Sequence, residues 1–364
     1  MLKKNEEYIV DIMDNGFQGE GIAKIEGIAI FIPQAIKGER IKVRILKVLK
    51  NFAYGKIIEI IEKSENREIE DCTTYKKCGG CNLRHIKYQE TLAMKKSIVE
   101  NCLYKQLKKE VKVNDVIGMD KPYNYRNKLQ YPFGFSDNKK VMGIYSERTH
   151  NIIETKNCLI QNETGQKIAN SVFDYVKENK IKIYDEKTGD GTLRHIVLRI
   201  GIKTNEVLLT LVVNDNGFKK FENDFIEEII LEYPEIKSIV LNYNTERTNI
   251  ILGKKCETIY GRGYIYDILG DYKFKISPLS FYQVNPIQTE ILYNTAIKFV
   301  ETDILSAKEN YTALDLYCGI GTIGIFASKY FKKVYGIEIV PQAILDAKEN
   351  AKVNNIGNIE FYAR

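Results

Sequence analysis

The sequence predicts a multi-domain α/β chain. A small N-terminal β-barrel spans residues 1–62, a central α+β domain 63–275, and a Rossmann-like domain, only its first half present, 276–364. Three observations carry this: five short apolar or alternating runs in the first sixty residues, a C-x5-C-G-G-C cluster after them, and a strand–glycine turn–helix rhythm near the end. At about 150 residues per domain, 364 residues accommodate two or three such bodies.

In the first segment, EYIVDIM, GIAKI, IAIFI, ERIKVRILKV and AYGKIIEII are separated by NGFQGEG, EG, PQAIKG and KN. Five short strands with glycine-rich turns suit a closed barrel of the oligonucleotide-binding type. The charged stretch EKSENREIE links it to a helix at about 86–109. Strand-like LQYPFGF, VMGIYS, LRHIVLRIG, EVLLTLVV and SIVLNYN follow, with one helix around QKIANSVFDYVKEN. From Pro286, suited to a helix first turn, PIQTEILYNTAIKFVE precedes the strand TALDLY, the turn CGIGTIG, the helix GIFASKYF, the strand KVYGIEIV, the helix PQAILDAKENAKVNN and a third strand NIEFYA. That is the opening half of a doubly wound parallel sheet, and ending there it is expected to leave a hydrophobic sheet edge.

Hydrophobic residues at 44%, charged residues at 28% and seven prolines exclude wholesale disorder. No apolar run reaches the eighteen residues of a membrane helix, and MLKKNEEYIV lacks the apolar core of a secretory signal. The chain therefore reads as cytoplasmic, where seven cysteines do not form a disulfide framework. The three histidines share no motif, which argues against a histidine-built metal site. Charge is uneven. Residues 1–62 carry 10 Lys+Arg against 9 Asp+Glu, residues 63–158 carry 19 against 12, and the remainder 25 against 27. The +7 surplus of the middle segment fits a polyanion such as nucleic acid, although a lysine-rich solvated surface reads the same way.

Gly319, Gly321 and Gly324 match G-x-G-x-x-G between a strand and a helix, with Glu338 ending the next strand. A dinucleotide could sit there, its pyrophosphate on the helix N-terminus. Asp315, four residues before the first glycine, would repel a pyrophosphate but attract the ammonium group of S-adenosylmethionine, and Glu338 can reach a ribose diol in either case. Cys72, Cys78 and Cys81 call for a fourth thiolate from Cys102, Cys158, Cys256 or Cys318. Cys102 reads as a buried helix residue, Cys256 as a loop residue and Cys318 as part of the glycine turn, which leaves Cys158 in the polar turn TKNCLIQ. Four thiolates suit an iron–sulfur cluster or zinc, and the x5 spacing departs from paired zinc knuckles. Arg126 with Lys128 and Arg194 with His195 lie on probable strands. They would meet RNA phosphates or simply face solvent. Lys139 and Lys140 mark a hairpin tip.

Together these motifs, with Phe281-Tyr282-Gln283-Val284-Asn285 and the turn D-L-Y-C-G-I-G-T, resemble the RNA 5-methyluridine methyltransferases over the whole chain. The resemblance implies a TRAM barrel that binds RNA and a [4Fe-4S] cluster on Cys72, Cys78, Cys81 and Cys158. It also implies an S-adenosylmethionine site that uses Gln283, Tyr317 and Glu338 beside Asp315, Gly319 and Gly321. Without it, Gln283 reads as a helix-flanking amide and Tyr317 as core. The implied reaction is methylation of uracil C5, with 23S ribosomal RNA favoured over transfer RNA, by a monomer. The family's nucleophilic cysteine and base would fall beyond Arg364, so no catalytic residue is expected within the chain. The 364 residues alone are expected to be inactive, as a fragment of a longer enzyme. A non-catalytic RNA-binding module with a vestigial cofactor domain is the alternative.

Overall fold

The computed structural model describes residues 2–69, 71–304 and 311–364, with the backbone alone for 301–304. The chain divides into two compact units, Met1–Pro122 with Ser146–Thr149, and Tyr123–Tyr145 with His150–Arg364. Among the described residues no helix is long and apolar enough to cross a membrane.

In the first unit, β1 (Glu7–Asp11), β2 (Asp14–Asn15), β3 (Gly21–Ile25), β4 (Ile28–Ile32), β5 (Arg40–Val48) and β6 (Phe52–Glu62) form one sheet ordered β1-β5-β6-β4-β3-β2. The five anticipated strands are present, and β2 is too short to register as a periodic pattern. Alternate side chains, including Val10, Ala23, Ile30, Ile41, Val43 and Ile45, fill its core. The Glu26-Gly27 turn joins β3 to β4 with both residues at positive φ, as a two-residue hairpin requires.

Helix α1 (Tyr88–Leu107) follows the cysteine loop and buries only Thr91 and Met94. Cys102 is exposed, contrary to the expectation of burial. Val99, Tyr104 and Leu107 are exposed as well, so this half of the helix presents its apolar residues to solvent.

The second unit holds β7 (Lys128–Ser136), β8 (Lys139–Tyr145), β9 (Ile152–Glu154), α2 (Glu163–Glu178), β10 (Leu193–Ile200), β11 (Val207–Val213), α3 (Glu222–Glu232), β12 (Ile236–Tyr243) and β13 (Lys255–Gly261). Its sheet runs β13-β12-β11-β10-β7-β8-β9. β7 and β8 form the expected hairpin, with Asp137 and Asn138 at positive φ as its tip. β11 and β12 are parallel, joined across α3, a helix the sequence reading missed. Its signal was Phe225 and Ile229, four apart and both buried.

Every residue of β10 and β11 is buried. Helices α2 and α3 pack on one face, while Leu208 and Val240 on the other join the core of the C-terminal segment. Arg194 and His195 are therefore both buried, and the solvent-facing alternative for them fails. The Arg194 guanidinium instead donates to the carbonyls of Asn244 and Glu246.

The hairpin β14 (Ile265–Leu269) and β15 (Tyr272–Ile276) precedes α4 (Pro286–Ile304), which begins at the anticipated proline. Then come β16 (Thr312–Leu316), α5 (Thr322–Ser328), β17 (Lys333–Glu338), α6 (Pro341–Val353) and β18 (Ile359–Ala363). The three strands are parallel in the order β16-β17-β18. The third strand pairs fully with β17, and the exposed apolar pair is Leu314 and Leu316, on β16.

Burial pushes the His195 imidazole down to about 3, helped by neighbouring Arg194. In the unfolded chain the same ring binds a proton below about 6.5. Its neutral burial therefore stabilises the fold fully above pH 6.5, and that stability is lost as pH falls from 6.5 towards 3. Replacing His195 with Leu should flatten the decline of the thermal midpoint across this window. An unchanged slope would contradict it.

Candidate functional site

The glycine turn is built by β16, β17 and the residues between β16 and α5. Tyr317 leaves the strand at φ +64°, and Gly319 and Gly321 adopt φ +54° and +80°. The Cys318 N–H donates to the Ile337 carbonyl at 3.0 Å, which holds the turn against β17. The Gly321 N–H closes back on the Cys318 carbonyl at 2.8 Å. A side chain at Gly321 would meet Phe361 at 2.6 Å, whereas nothing lies within 4 Å of one at Gly319.

Two carboxylates lock this loop. Asp315 Oδ2 accepts the Gly324 N–H at 2.8 Å. Glu338 Oε2 accepts the Gly319 N–H at 3.2 Å, and its Oε1 accepts from Val340 N at 2.9 Å. Neither makes an ion pair among the described residues. Burial raises the Asp315 carboxyl above its ordinary value, and the Gly324 hydrogen bond opposes that. The Gly319 N–H, which a pyrophosphate would need, is thus already taken by an anion. Such a turn is matched to a cationic, ribose-bearing ligand rather than a phosphate-bearing one.

Cys318 is buried in the turn. Burial, then the charges of Asp315 and Glu338, push its thiol up to about 12, so it stays protonated and a poor nucleophile at neutral pH. Tyr317 is 90% exposed, so its reading as core is wrong; the strand ends before it and positive φ turns it outward. Gln283 is exposed just ahead of α4, as a helix-flanking amide should be. Its carbonyl accepts from Asn127 Nδ2 at 3.0 Å, and the Asn127 N–H donates to Val284.

Sequence reasoning missed the polar bracing beneath the site. Asp346 Oδ2 accepts from both Ser277 and Ser280 hydroxyls at 2.7 and 2.8 Å. Asn350 donates to the Ile320 carbonyl inside the turn and accepts the Lys275 N–H. Both lie on α6 and are buried, and a carboxylate and an amide four apart facing the core were the available signal.

Cys72, Cys78 and Cys81 lie in the first unit and Cys158 in the second. Cys72 Sγ lies 3.5 Å from Thr74 Oγ1, and Cys78 Sγ accepts the Gly80 N–H at 3.3 Å. Cys158 is buried, hydrogen-bonded through its backbone to Gln166. Among the described residues no group of three or more His, Cys, Asp or Glu side chains could hold a metal ion. Cys256, expected in a loop, lies on β13 with its sulfur accepting from Asn242 Nδ2 at 3.2 Å.

Comparison with known proteins identifies a TRAM domain over residues 2–58 and a methyltransferase domain over residues 307–364. An uncharacterized RNA methyltransferase of Clostridium acetobutylicum is 46% identical over 363 residues, 99% of this chain and 78% of that protein. One from Halalkalibacterium halodurans is 42% identical over 361 residues, 99% of this chain and 78% of its own length. The crystal structure of Pyrococcus abyssi tRNA (uracil-54, C5)-methyltransferase with S-adenosyl-L-homocysteine superposes with a TM-score of 0.72 at 25% identity, covering 97% of this chain and 79% of that one.

Gly321→Ala should destabilise the second unit by more than about 1 kcal/mol, because positive φ and the Phe361 contact add. Gly319→Ala, which meets only the φ penalty, should cost less in denaturant titrations. The reverse ranking would contradict the described packing.

Proposed function

This chain belongs to the RNA methyltransferases, and from that premise we propose that it serves S-adenosylmethionine-dependent methylation of uracil C5 in RNA. The observation that carries the reading is the pair of carboxylates, Asp315 and Glu338, closing the glycine turn against phosphate. Support for the base comes from the Pyrococcus neighbour, which acts on uracil C5 of transfer RNA. The sequence resemblance favours 23S ribosomal RNA as the substrate, read from solution by a cytoplasmic monomer.

The residues fit the cofactor. Glu338 would accept from ribose hydroxyls, Asp315 would hold the turn and attract the ammonium group, Tyr317 would offer its exposed ring, and Gln283 its free amide. When bound, S-adenosylmethionine supplies an electrophilic methyl group. Uracil C5 is a weak nucleophile until a thiolate adds at C6 and makes it enolate-like, and a base must afterwards take the C5 proton. None of the seven cysteines is assigned as that thiolate, Cys318 least of all, since its thiol is held protonated. The target base must also leave its stack to reach the site.

The sequence resemblance implies a [4Fe-4S] group on Cys72, Cys78, Cys81 and Cys158. No step here depends on it. Anaerobic purification should yield about four iron and four sulfide per chain if that implication holds; stoichiometric zinc, or no metal, would refute it.

Deleting the gene in its host should abolish one 5-methyluridine, located by mass spectrometry of ribosomal and transfer RNA. Complementation with a Cys318→Ala allele should restore it. An unchanged 5-methyluridine inventory would overturn the proposed reaction, and failure of the Cys318→Ala allele would reopen that thiol as nucleophile.

A further inference from the structure

Three cations meet at the central sheet with no ion-paired anion among the described residues. Lys128 on β7 and Arg199 on β10 are direct cross-strand partners, so their side chains project from the same face. Arg126, two residues before Lys128, lies close enough to add to the repulsion. Burial, then Arg199, then Arg126 push the Lys128 ammonium down to about 8. Arg199 is buried, and its guanidinium donates only to the neutral carbonyls of Ser280 and Pro278. The Nε atoms of both Arg126 and Arg199 are buried with no hydrogen-bond partner. Among the described residues none of the three forms an ion pair.

Like charges placed opposite each other in a sheet are destabilising, and a buried guanidinium donor left unpaired adds to that cost. Arg199 ties the 278–280 loop to the sheet through those carbonyls, but that contact does not need the Lys128 ammonium set opposite it. The arrangement makes sense if an anion enters. Arg126 and Lys128 are only half-buried, so the cluster opens to solvent. Asn127 between them holds the carbonyls of Gln283 and Val284, so the cluster adjoins the segment that carries a candidate cofactor residue.

We propose that Lys128, Arg199 and Arg126 form a phosphate seat that grips the RNA backbone beside the target uridine. This rests on the RNA methyltransferase reading above. The cofactor proposed there carries no phosphate, so the anion must come from the substrate. A nucleotide drawn out of its stack leaves its flanking phosphates to be held, and such contacts fix register without reading sequence.

The test is binding of a fluorescein-labelled, uridine-containing single-stranded RNA, followed by anisotropy over a range of salt. Lys128→Gln should weaken binding and reduce the slope of log K against log salt by about 0.7, one phosphate's worth on a single strand. Arg126→Gln/Lys128→Gln should reduce it by about 1.4. Lys128→Arg should keep the wild-type slope. The thermal midpoint of Lys128→Gln should equal or exceed that of wild type, because an uncompensated cation is removed; a purely structural lysine would lower it. Wild-type RNA binding with unchanged slopes in the variants overturns the seat alone, as does a lowered midpoint with an unchanged slope. No RNA binding by wild type overturns both the seat and the RNA reading.

Discussion

The C-terminal segment depends on one arrangement, a glycine turn whose free N–H groups are satisfied by carboxylates. Asp315 takes the Gly324 N–H from inside, and Glu338 takes the Gly319 N–H from the neighbouring strand. Two acidic side chains here cost desolvation, visible in the raised Asp315 carboxyl. What they secure is a loop with a fixed path and a negative rim. A dinucleotide site needs the opposite, backbone donors left open for a pyrophosphate. The choice of cofactor class follows from which group occupies the Gly319 N–H.

The turn is kept in place from beneath and from the side. Asp346 and Asn350 on α6 bind the 275–280 segment and the Ile320 carbonyl, so the loop before α4 and the glycine turn share one support. Asn127 and Arg199 tie that same loop to the central sheet. Within the second unit, the central sheet and the glycine turn are thus coupled by polar contacts as well as by the apolar core containing Leu208, Val240, Phe274 and Phe361. A displacement in one would be felt in the other, since packed interiors yield little.

Much of this was legible in the sequence. Strands separated by Asn-Gly-Phe-Gln-Gly-Glu-Gly and Glu-Gly turns, a proline at a helix start and a glycine-rich turn after TALDLY each have a local cause, and each appears where expected. What stayed hidden depended on tertiary context. Helix α3 presents only two buried residues, too few for a clear period. Strands β10 and β11 are covered on both faces, so alternation gives no guide to Arg194, His195 or Arg199. Tyr317 looked like core because its neighbours are apolar, and only the positive φ after β16 turns it outward. The cysteine spacing was legible as a pattern, but spacing says nothing about where a distant fourth thiol lies in space.

The most direct measurement is equilibrium dialysis of labelled S-adenosylmethionine against the chain, with NADH as competitor and Glu338→Ala as control. The account predicts saturable binding that NADH does not displace and that Glu338→Ala loses. Displacement by NADH, or undiminished binding without the Glu338 carboxylate, would contradict it.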